Sequence, residues 1–103
     1  MNERFAVAFT PRASRQVDQA KRWWRTNRTK APDALEEELR TTLDLIATTP
    51  SIGAIARNVA LAGVRRILLN RVNYFLYYRP NSESRIVEVV AFWHARRGSG
   101  PPL

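Results

Sequence analysis

Apolar and polar positions in the first half of the chain predict one short strand and two helices. Apolar side chains alternate over residues 5–9, as in a strand with one buried side. Over residues 11–28 they recur at helical spacing, and Thr10-Pro11 supplies an N-cap followed by proline in the first turn. A second apolar stripe at helical spacing covers residues 31–49. We therefore expect a helical hairpin after an N-terminal strand.

In the second half of the chain the alternation of apolar residues returns and predicts three consecutive strands. They cover residues 64–69, 72–79 and 85–94, and they follow a loop over residues 50–63. Both links between these strands are short and polar, which is typical of turns. The strand at 72–79 is apolar on both sides, so we expect it to be central in the sheet.

These elements predict an α+β domain with the order β-α-α-β-β-β. The helical hairpin is expected to pack on a small, mainly antiparallel sheet. One domain should span residues 1–97, since the chain is long enough for a single hydrophobic core. Residues 98–103, Gly-Ser-Gly-Pro-Pro-Leu, oppose helix and strand and are expected to form a flexible C-terminal tail.

The last predicted strand has two sides because side chains alternate along it. One side carries Val87, Val89, Ala91 and Trp93. The other carries Ile86, Glu88, Val90, Phe92 and His94. We expect the first set to face the helices and the second set, which contains the polar side chains, to face away from them.

Charged residues are unevenly distributed along the chain, and their distribution indicates the kind of partner that the protein binds. The net charge is +8, and 15 of the 17 basic residues are arginine. Residues 1–30 and residues 56–103 each carry eight basic and two acidic side chains, whereas residues 31–55 carry one basic and five acidic. Two basic blocks indicate an anionic partner, either nucleic acid or an acidic protein segment. The alternative is a solvated basic surface without a partner.

Composition also excludes several classes of function. The chain has no cysteine and one histidine, so we expect no disulfide, no metal site and no cofactor. No apolar run reaches the length of a membrane span, and the N-terminus lacks the apolar core of a signal peptide. We expect no membrane association and a cytoplasmic protein.

The last predicted strand ends in polar, ionisable side chains that a packed core does not require. Trp93-His94-Ala95-Arg96-Arg97 brings an imidazole and two guanidinium groups to the rim of the sheet. His94 is the one candidate for acid–base catalysis, and a structural or partner-contact role is the alternative. Trp23 is expected to be exposed beside the buried Trp24, as interface tryptophans often are. The candidate residues for contact with a target or partner are Trp23, Arg65, Arg66, Arg79, His94, Arg96 and Arg97.

Four short motifs resemble the RelE/ParE toxin superfamily. They are Pro50-x-x-Gly53, Val64-Arg65-Arg66, Tyr77-Tyr78-Arg79 and the segment 93–97, and together they extend over most of the chain. The resemblance implies the toxin of a type II toxin–antitoxin system. RelE-like members of the superfamily cleave mRNA on the ribosome, whereas ParE-like members inhibit DNA gyrase.

The sequence departs from the RelE nuclease pattern at two positions. Asn73 lies near the position where that branch often has a catalytic arginine, and Ala95 follows His94 where a tyrosine would be expected. The resemblance therefore favours the ParE-like branch, a gyrase inhibitor that acts by binding. A ribosome-dependent endoribonuclease is the alternative, and a basic nucleic-acid-binding module is the second alternative.

The resemblance also implies a partner. We expect a cognate antitoxin whose C-terminal segment is acidic and amphipathic, complementary to the two basic blocks, and a hetero-oligomeric toxin–antitoxin complex.

Overall fold

The structure is a computed structural model that describes residues 4–103, and it contains two helices and five strands. The predicted domain begins at residue 1, and residues 1–3 lie outside the described part. In chain order the elements are β1 (Ala6–Phe9), α1 (Pro11–Asn27), α2 (Ala34–Thr48), β2 (Ala54–Ile55), β3 (Arg65–Leu69), β4 (Tyr74–Asn81) and β5 (Ile86–His94).

The five strands form one mixed sheet in the order β1-β5-β4-β3-β2. β1 is parallel to β5, and every other neighbouring pair is antiparallel. The predicted α+β class, the mainly antiparallel sheet and the central position of β4 are confirmed. Both helices pack on one side of this sheet, which we call the helix side, and the opposite side is called the open side.

Helix α1 begins where the sequence predicts it. The Thr10 hydroxyl accepts a hydrogen bond from the Ala13 backbone N–H at 3.1 Å, and Pro11 occupies the first turn. The apolar stripe of α1 is buried in the core, and Trp24 lies on it at 9% exposure. The Trp24 indole N–H donates to the Ala31 carbonyl at 2.8 Å, which ties the end of α1 to the link before α2.

Helix α2 begins at Ala34, later than predicted, because residues 31–33 form a turn. The Glu38 carboxylate accepts the backbone N–H groups of Arg71 and Val72, at 3.2 and 3.1 Å. The helix thereby fixes the turn between β3 and β4. This turn is longer than the predicted two residues, since Asn73 ends it with a φ of 65° before β4 begins.

The segment Pro50–Gly53 is fastened to the sheet by two side chains. The Tyr78 hydroxyl accepts the Gly53 N–H at 2.8 Å and donates to the Pro50 carbonyl at 2.7 Å. The Arg65 guanidinium donates to the Gly53 carbonyl at 2.7 Å. A Cβ at Gly53 would lie 2.7 Å from the Tyr78 hydroxyl oxygen, so this close approach requires glycine. The motif Pro50-x-x-Gly53 is therefore the attachment of the loop to the central strand.

Two parts of the chain lack clear alternation in the sequence. Strand β2 was not predicted, because Ala54 and Ile55 are too short a run to alternate and pair only with Arg66 and Arg65. Residues 98–103 have neither helix nor strand, and they contact the open side of the sheet. Their mobility in solution stays a prediction.

Candidate functional site

A β-bulge at Val90 determines which side chains meet at the end of β5. Tyr77 pairs with Ala91 and Tyr78 pairs with Val89, so Val90 is an extra residue without a partner on β4. The alternation of side chains changes sides at this point. Val87 and Val89 belong to the helix-side core, whereas Val90 and Ala91 belong to the apolar cluster on the open side.

The predicted sides of the last strand are therefore correct before the bulge and wrong after it. Trp93 was expected to face the helices, and it packs on the open side. Phe92 and His94 were expected on the open side, and they lie on the helix side against Tyr74. Glu88 precedes the bulge and stays on the open side, where it lines a cavity with Val90.

Helix α1 completes the hydrogen bonding of β5 beyond the bulge. β1 ends at Phe9, and the last bond from its end is the Thr10 N–H to the Val89 carbonyl at 3.0 Å. Further along β5, the Gln16 side-chain carbonyl accepts the Phe92 N–H at 2.8 Å. A helix side chain thus replaces the missing neighbouring strand.

His94 is held by aromatic contacts and by the backbone that follows it. Its ring meets the Tyr74 ring edge-on, with 5.0 Å between centroids, and Tyr74 stacks on Phe92 at 4.7 Å. The His94 Nδ1 accepts the Arg96 N–H at 3.2 Å, so the neutral ring carries its proton on Nε2. Burial raises the pKa of the Tyr74 hydroxyl, an effect that the nearby charge of Arg97 opposes.

A cavity of about 300 Å³ lies beside His94 on the helix side. We call it the helix-side cavity. Trp23, at 47% exposure, forms part of its wall, which confirms that this tryptophan is exposed. The cavity combines aromatic surface, amide groups and a guanidinium, and its lining includes Gln16, Gln19, Trp23, Tyr74, Phe92, His94 and Arg97.

On the open side, two arginines lie over two aromatic rings. The Arg66 guanidinium is 4.2 Å from the centre of the Phe75 ring, and that of Arg97 is 3.9 Å from the centre of the Trp93 ring. Phe75 and Trp93 are cross-strand partners, so the two pairs are adjacent. A second cavity of about 220 Å³, the open-side cavity, adjoins them.

The structure separates the residues that the sequence predicts as contact sites. Trp93, His94 and Arg97 border both cavities, so the end of β5 is the rim that the two share. Trp23 joins them on the helix side and Arg66 on the open side.

The other three predicted contact residues have different surroundings. Arg65 donates to carbonyls of Ser51 and Gly53, so it holds the loop. Arg79 lies 3.8 Å from the Glu88 carboxylate, and the Arg96 side chain is exposed.

Sequence reasoning missed the contribution of α1 to this site. Gln16 and Gln19 line the helix-side cavity, but they look like ordinary polar helix residues. The spacing holds a signal, since Gln16 lies three residues after Ala13 and four before Ala20, both of which are buried. A polar residue on an apolar stripe indicates a buried partner for its side chain.

The described residues contain neither a side-chain cluster able to hold a metal ion nor a helix able to span a membrane. Residues 4–103 hold no group of three or more His, Asp or Glu side chains arranged to bind a metal ion. In the same range, neither helix combines the length and the apolar character needed to cross a bilayer.

The fold is shared with toxins from known toxin–antitoxin systems. A chain of the chromosomal ParDE system from P. aeruginosa has a TM-score of 0.69 at 16% identity, over 89% of this chain and 97% of that chain. A chain of the RelBE2 toxin–antitoxin complex from Mycobacterium tuberculosis has a TM-score of 0.66 at 22% identity, over 89% and 99%. A chain of the intact E. coli RelBE complex has a TM-score of 0.61 at 22% identity, over 90% and 99%.

At these identities the structural likeness shows the fold alone. No curated protein matches the sequence significantly. The family is shown by the sequence itself, because residues 7–98 match the model of the ParE toxin of the type II toxin–antitoxin system parDE. The chain belongs to the ParE toxin family.

Proposed function

We propose that this toxin inhibits DNA gyrase by binding to it and has no catalytic step of its own. The ParE family match and the departures from the nuclease pattern support this choice. The proposed target implies that the protein acts in the cytoplasm.

The observation that carries the proposal is the separation of His94 from Glu88. Cleavage of RNA needs a proton acceptor and a proton donor at one phosphodiester. The His94 ring packs on the helix side and borders the two cavities at the end of β5, whereas Glu88 lies beside Arg79 and lines a different cavity. Because His94 and Glu88 border no common cavity among the described residues, they do not flank one substrate.

The two positions that depart from the nuclease pattern have structural surroundings that agree with a binding role. Asn73 has a positive φ in the turn, and its carbonyl accepts the Ala95 N–H at 2.9 Å. Asparagine tolerates this backbone conformation better than most residues. Neither position adds an acid or a base next to His94.

We further propose that a cognate antitoxin with an acidic, amphipathic C-terminal segment neutralises the toxin in a hetero-oligomeric complex. The structural relatives from M. tuberculosis and E. coli come from toxin–antitoxin complexes. On this chain, the exposed Trp23 and the guanidinium of Arg97 border one cavity, so an apolar side chain and a carboxylate can bind together there.

The test compares gyrase inhibition with RNA cleavage. We expect the purified chain to block supercoiling of relaxed plasmid by gyrase, and we expect mRNA in growth-arrested cells to stay intact. His94→Gln keeps a hydrogen-bonding side chain without the imidazole, so it should retain inhibition within about threefold, because no proton transfer is lost. Arg97→Gln should weaken inhibition by about tenfold or more, as loss of an interface arginine often does.

The contrary result is equally specific. Ribosome-dependent mRNA cleavage at codon-spaced positions, present in the unaltered chain and absent in His94→Gln, would assign the toxin to the nuclease branch. The position of Tyr74 beside His94 is the observation that favours the endoribonuclease as a second candidate function. The Tyr74 ring is next to His94, and a phenol with an ordinary pKa of 10.0 is protonated at neutral pH, so Tyr74 carries a proton that it can donate, although burial raises its pKa and makes it a weaker acid.

The same purified chain also tests the second alternative, that the protein is a basic nucleic-acid-binding module. The arginine–aromatic pairs of the open side are the surface that it would use. Tight binding to bare DNA or RNA that weakens steeply with salt, without an effect on gyrase, would favour that module.

A further inference from the structure

The open side of the sheet has an apolar cluster that neither helix of residues 4–103 covers. Its buried members are Ala56, Val64, Tyr77, Val90 and Ala91. Side chains from the loop before β3 and from the end of the chain pack on it, and these are Val59, Leu61 and Leu103. The cover over this cluster is therefore irregular backbone.

The segment Ser99–Leu103, which we call the cover segment, is attached along its length. The Ser99 carbonyl accepts the Trp93 indole N–H at 2.8 Å. Pro101 is buried, and the Pro102 carbonyl accepts a hydrogen bond from the Arg12 guanidinium at 2.5 Å. Leu103 packs on the apolar cluster. An extended segment with a proline-rich, apolar centre thus fits the groove between the loop and β5.

Gly98 directly precedes the cover segment and Gly100 lies within it, and the two glycines have opposite surroundings. A Cβ at Gly100 would lie 2.4 Å from the Asn58 backbone oxygen and 2.7 Å from its side-chain nitrogen. A Cβ at Gly98 would meet no atom within 4 Å. Alanine at Gly100 therefore forces the cover segment away from the loop, whereas alanine at Gly98 does not.

The groove is flanked by arginines that lack a carboxylate partner in the described chain. Arg66 and Arg97 lie near Ser99 and Gly100, and Arg12 lies near Leu103 at the other end. Within residues 4–103, no carboxylate forms an ion pair with these three arginines. Glu88 also lines the Leu103 end, and its ion pair is with Arg79. The cover segment itself contains no acidic residue.

We infer that this groove is a docking site for an extended segment of the antitoxin, with an apolar, proline-tolerant centre and acidic residues on both flanks. Such a segment replaces the cover segment on the apolar cluster and adds carboxylates next to Arg12, Arg66 and Arg97. The inference rests on the antitoxin proposed above and adds this groove, on the open side, to the helix-side cavity as a second surface for its acidic segment.

Competition between the two segments makes a measurable prediction. A protein whose binding-competent state is only fractionally populated binds with an affinity reduced by that fraction. If the cover segment is closed about nine-tenths of the time, opening it strengthens binding of the second segment about tenfold. The full chain then binds such a segment weakly, and a variant with an open cover binds it more tightly.

The experiment uses the full chain and the synthetic peptide Asp-Ser-Gly-Pro-Pro-Leu-Asp, which repeats the cover sequence between acidic flanks. Gly100→Ala should bind this peptide about tenfold more tightly than the unaltered chain, and Gly98→Ala should bind it like the unaltered chain. The same peptide with lysine in place of both aspartates should bind at least about tenfold more weakly, because three arginines face its flanks.

Hydrogen exchange of the indole N–H groups verifies that the cover has opened without unfolding. In Gly100→Ala the Trp93 indole N–H should exchange faster, since its acceptor is Ser99. The Trp24 indole N–H, bonded to Ala31, should exchange as in the unaltered chain. Faster exchange at both would mean that the variant has unfolded and would contradict the inferred independence of the cover.

Peptide affinity that is equal in Gly100→Ala and the unaltered chain, or equal for the acidic and basic peptides, would overturn the inference. These outcomes are distinct from failure of the proposed function. An antitoxin that neutralises the Gly100→Ala, Arg66→Gln and unaltered chains with the same affinity would leave the toxin–antitoxin pairing intact and remove this groove from it.

Discussion

At the scale of single residues, the bulge at Val90 determines which side chains of β5 face each side of the sheet at the site. One extra residue in β5 moves His94 to the helix side and Trp93 to the open side. The site at the end of the strand therefore has two different surfaces, with aromatic and amide groups on one and arginine–aromatic pairs on the other. Without the bulge, His94 and Glu88 would share a side.

Gln16 supports this arrangement through a single hydrogen bond, and its loss should be measurable. Gln16→Leu removes the acceptor of the half-buried Phe92 N–H, so we expect the free energy of unfolding to fall by about 1–3 kcal/mol. Gln19→Leu is the matched control, because Gln19 is exposed one turn further along α1. Urea unfolding of both variants measures the difference, and equal stabilities would show that water replaces the amide.

The residue-scale errors of the sequence prediction have one physical origin. Alternation correctly assigned Val87, Glu88 and Val89, and it failed from Ala91 onward. A valine in a bulge cannot be told from a paired valine in the sequence, because the bulge arises from the register between β4 and β5. The residues of one strand do not reveal how that strand aligns with its neighbour, so the register could not be predicted from β5 alone.

At the scale of elements, the predictable parts are those with local signals. Helix α1 has its N-cap and proline, and the apolar stripes and alternation identify α2, β3, β4 and β5. Strand β2 was missed, since two residues pair with β3 only through tertiary contact. The attachment of Pro50–Gly53 to β4 was also absent from the prediction, because Tyr78 is distant in sequence.

Tyr78 joins the loop to the central strand, and this link makes a prediction about stability and pH. Tyr78→Phe leaves the Gly53 N–H and the Pro50 carbonyl without their partner, which should cost about 1–3 kcal/mol at neutral pH. Burial raises the pKa of Tyr78 above its ordinary value of 10.0, against smaller lowering effects of the Gly53 hydrogen bond and the Arg65 charge.

Because the pKa of the Tyr78 hydroxyl is higher in the folded chain than in the unfolded chain, the unfolded chain loses this proton first as the pH rises. The contribution of Tyr78 is therefore fully present below pH 10.0 and is lost as the pH rises through its folded-state pKa. The pKa of Tyr74 is also raised, so Tyr78→Phe should still lose some stability at alkaline pH. Thermal unfolding from neutral to alkaline pH should give a shallower decline for Tyr78→Phe, and parallel declines would contradict the assignment.

At the scale of the whole molecule, the acidic helix neutralises only part of the positive charge. Carboxylates of α2 pair with Arg4, Arg25 and Arg71, which belong to three different regions. Within residues 4–103, the Arg25–Glu36 pair is the one ion pair that joins the two helices. Exposed pairs of this kind contribute about 0–1 kcal/mol each. Their larger consequence is the uncompensated positive field over the rest of α1.

This field should control the rate at which the toxin meets an acidic partner. Long-range attraction is screened over about 10 Å at ~0.1 M salt and about 3 Å at ~1 M. We expect the association rate with the antitoxin to fall about tenfold or more over this range, with a smaller change in dissociation, because steering acts on the encounter. Stopped-flow measurement of Trp fluorescence follows the reaction.

Two single-charge variants separate the local field from the net charge. Arg15 is exposed on α1 without an ion pair to residues 4–103, whereas Arg71 is paired with Glu37. Both substitutions by glutamine lower the net charge equally. If the basic surface of α1 steers the partner, Arg15→Gln should slow association and flatten its salt dependence more than Arg71→Gln does. Equal effects would mean that only the net charge matters, and no salt dependence in the unaltered chain would remove electrostatic steering from the account of how this toxin finds its partners.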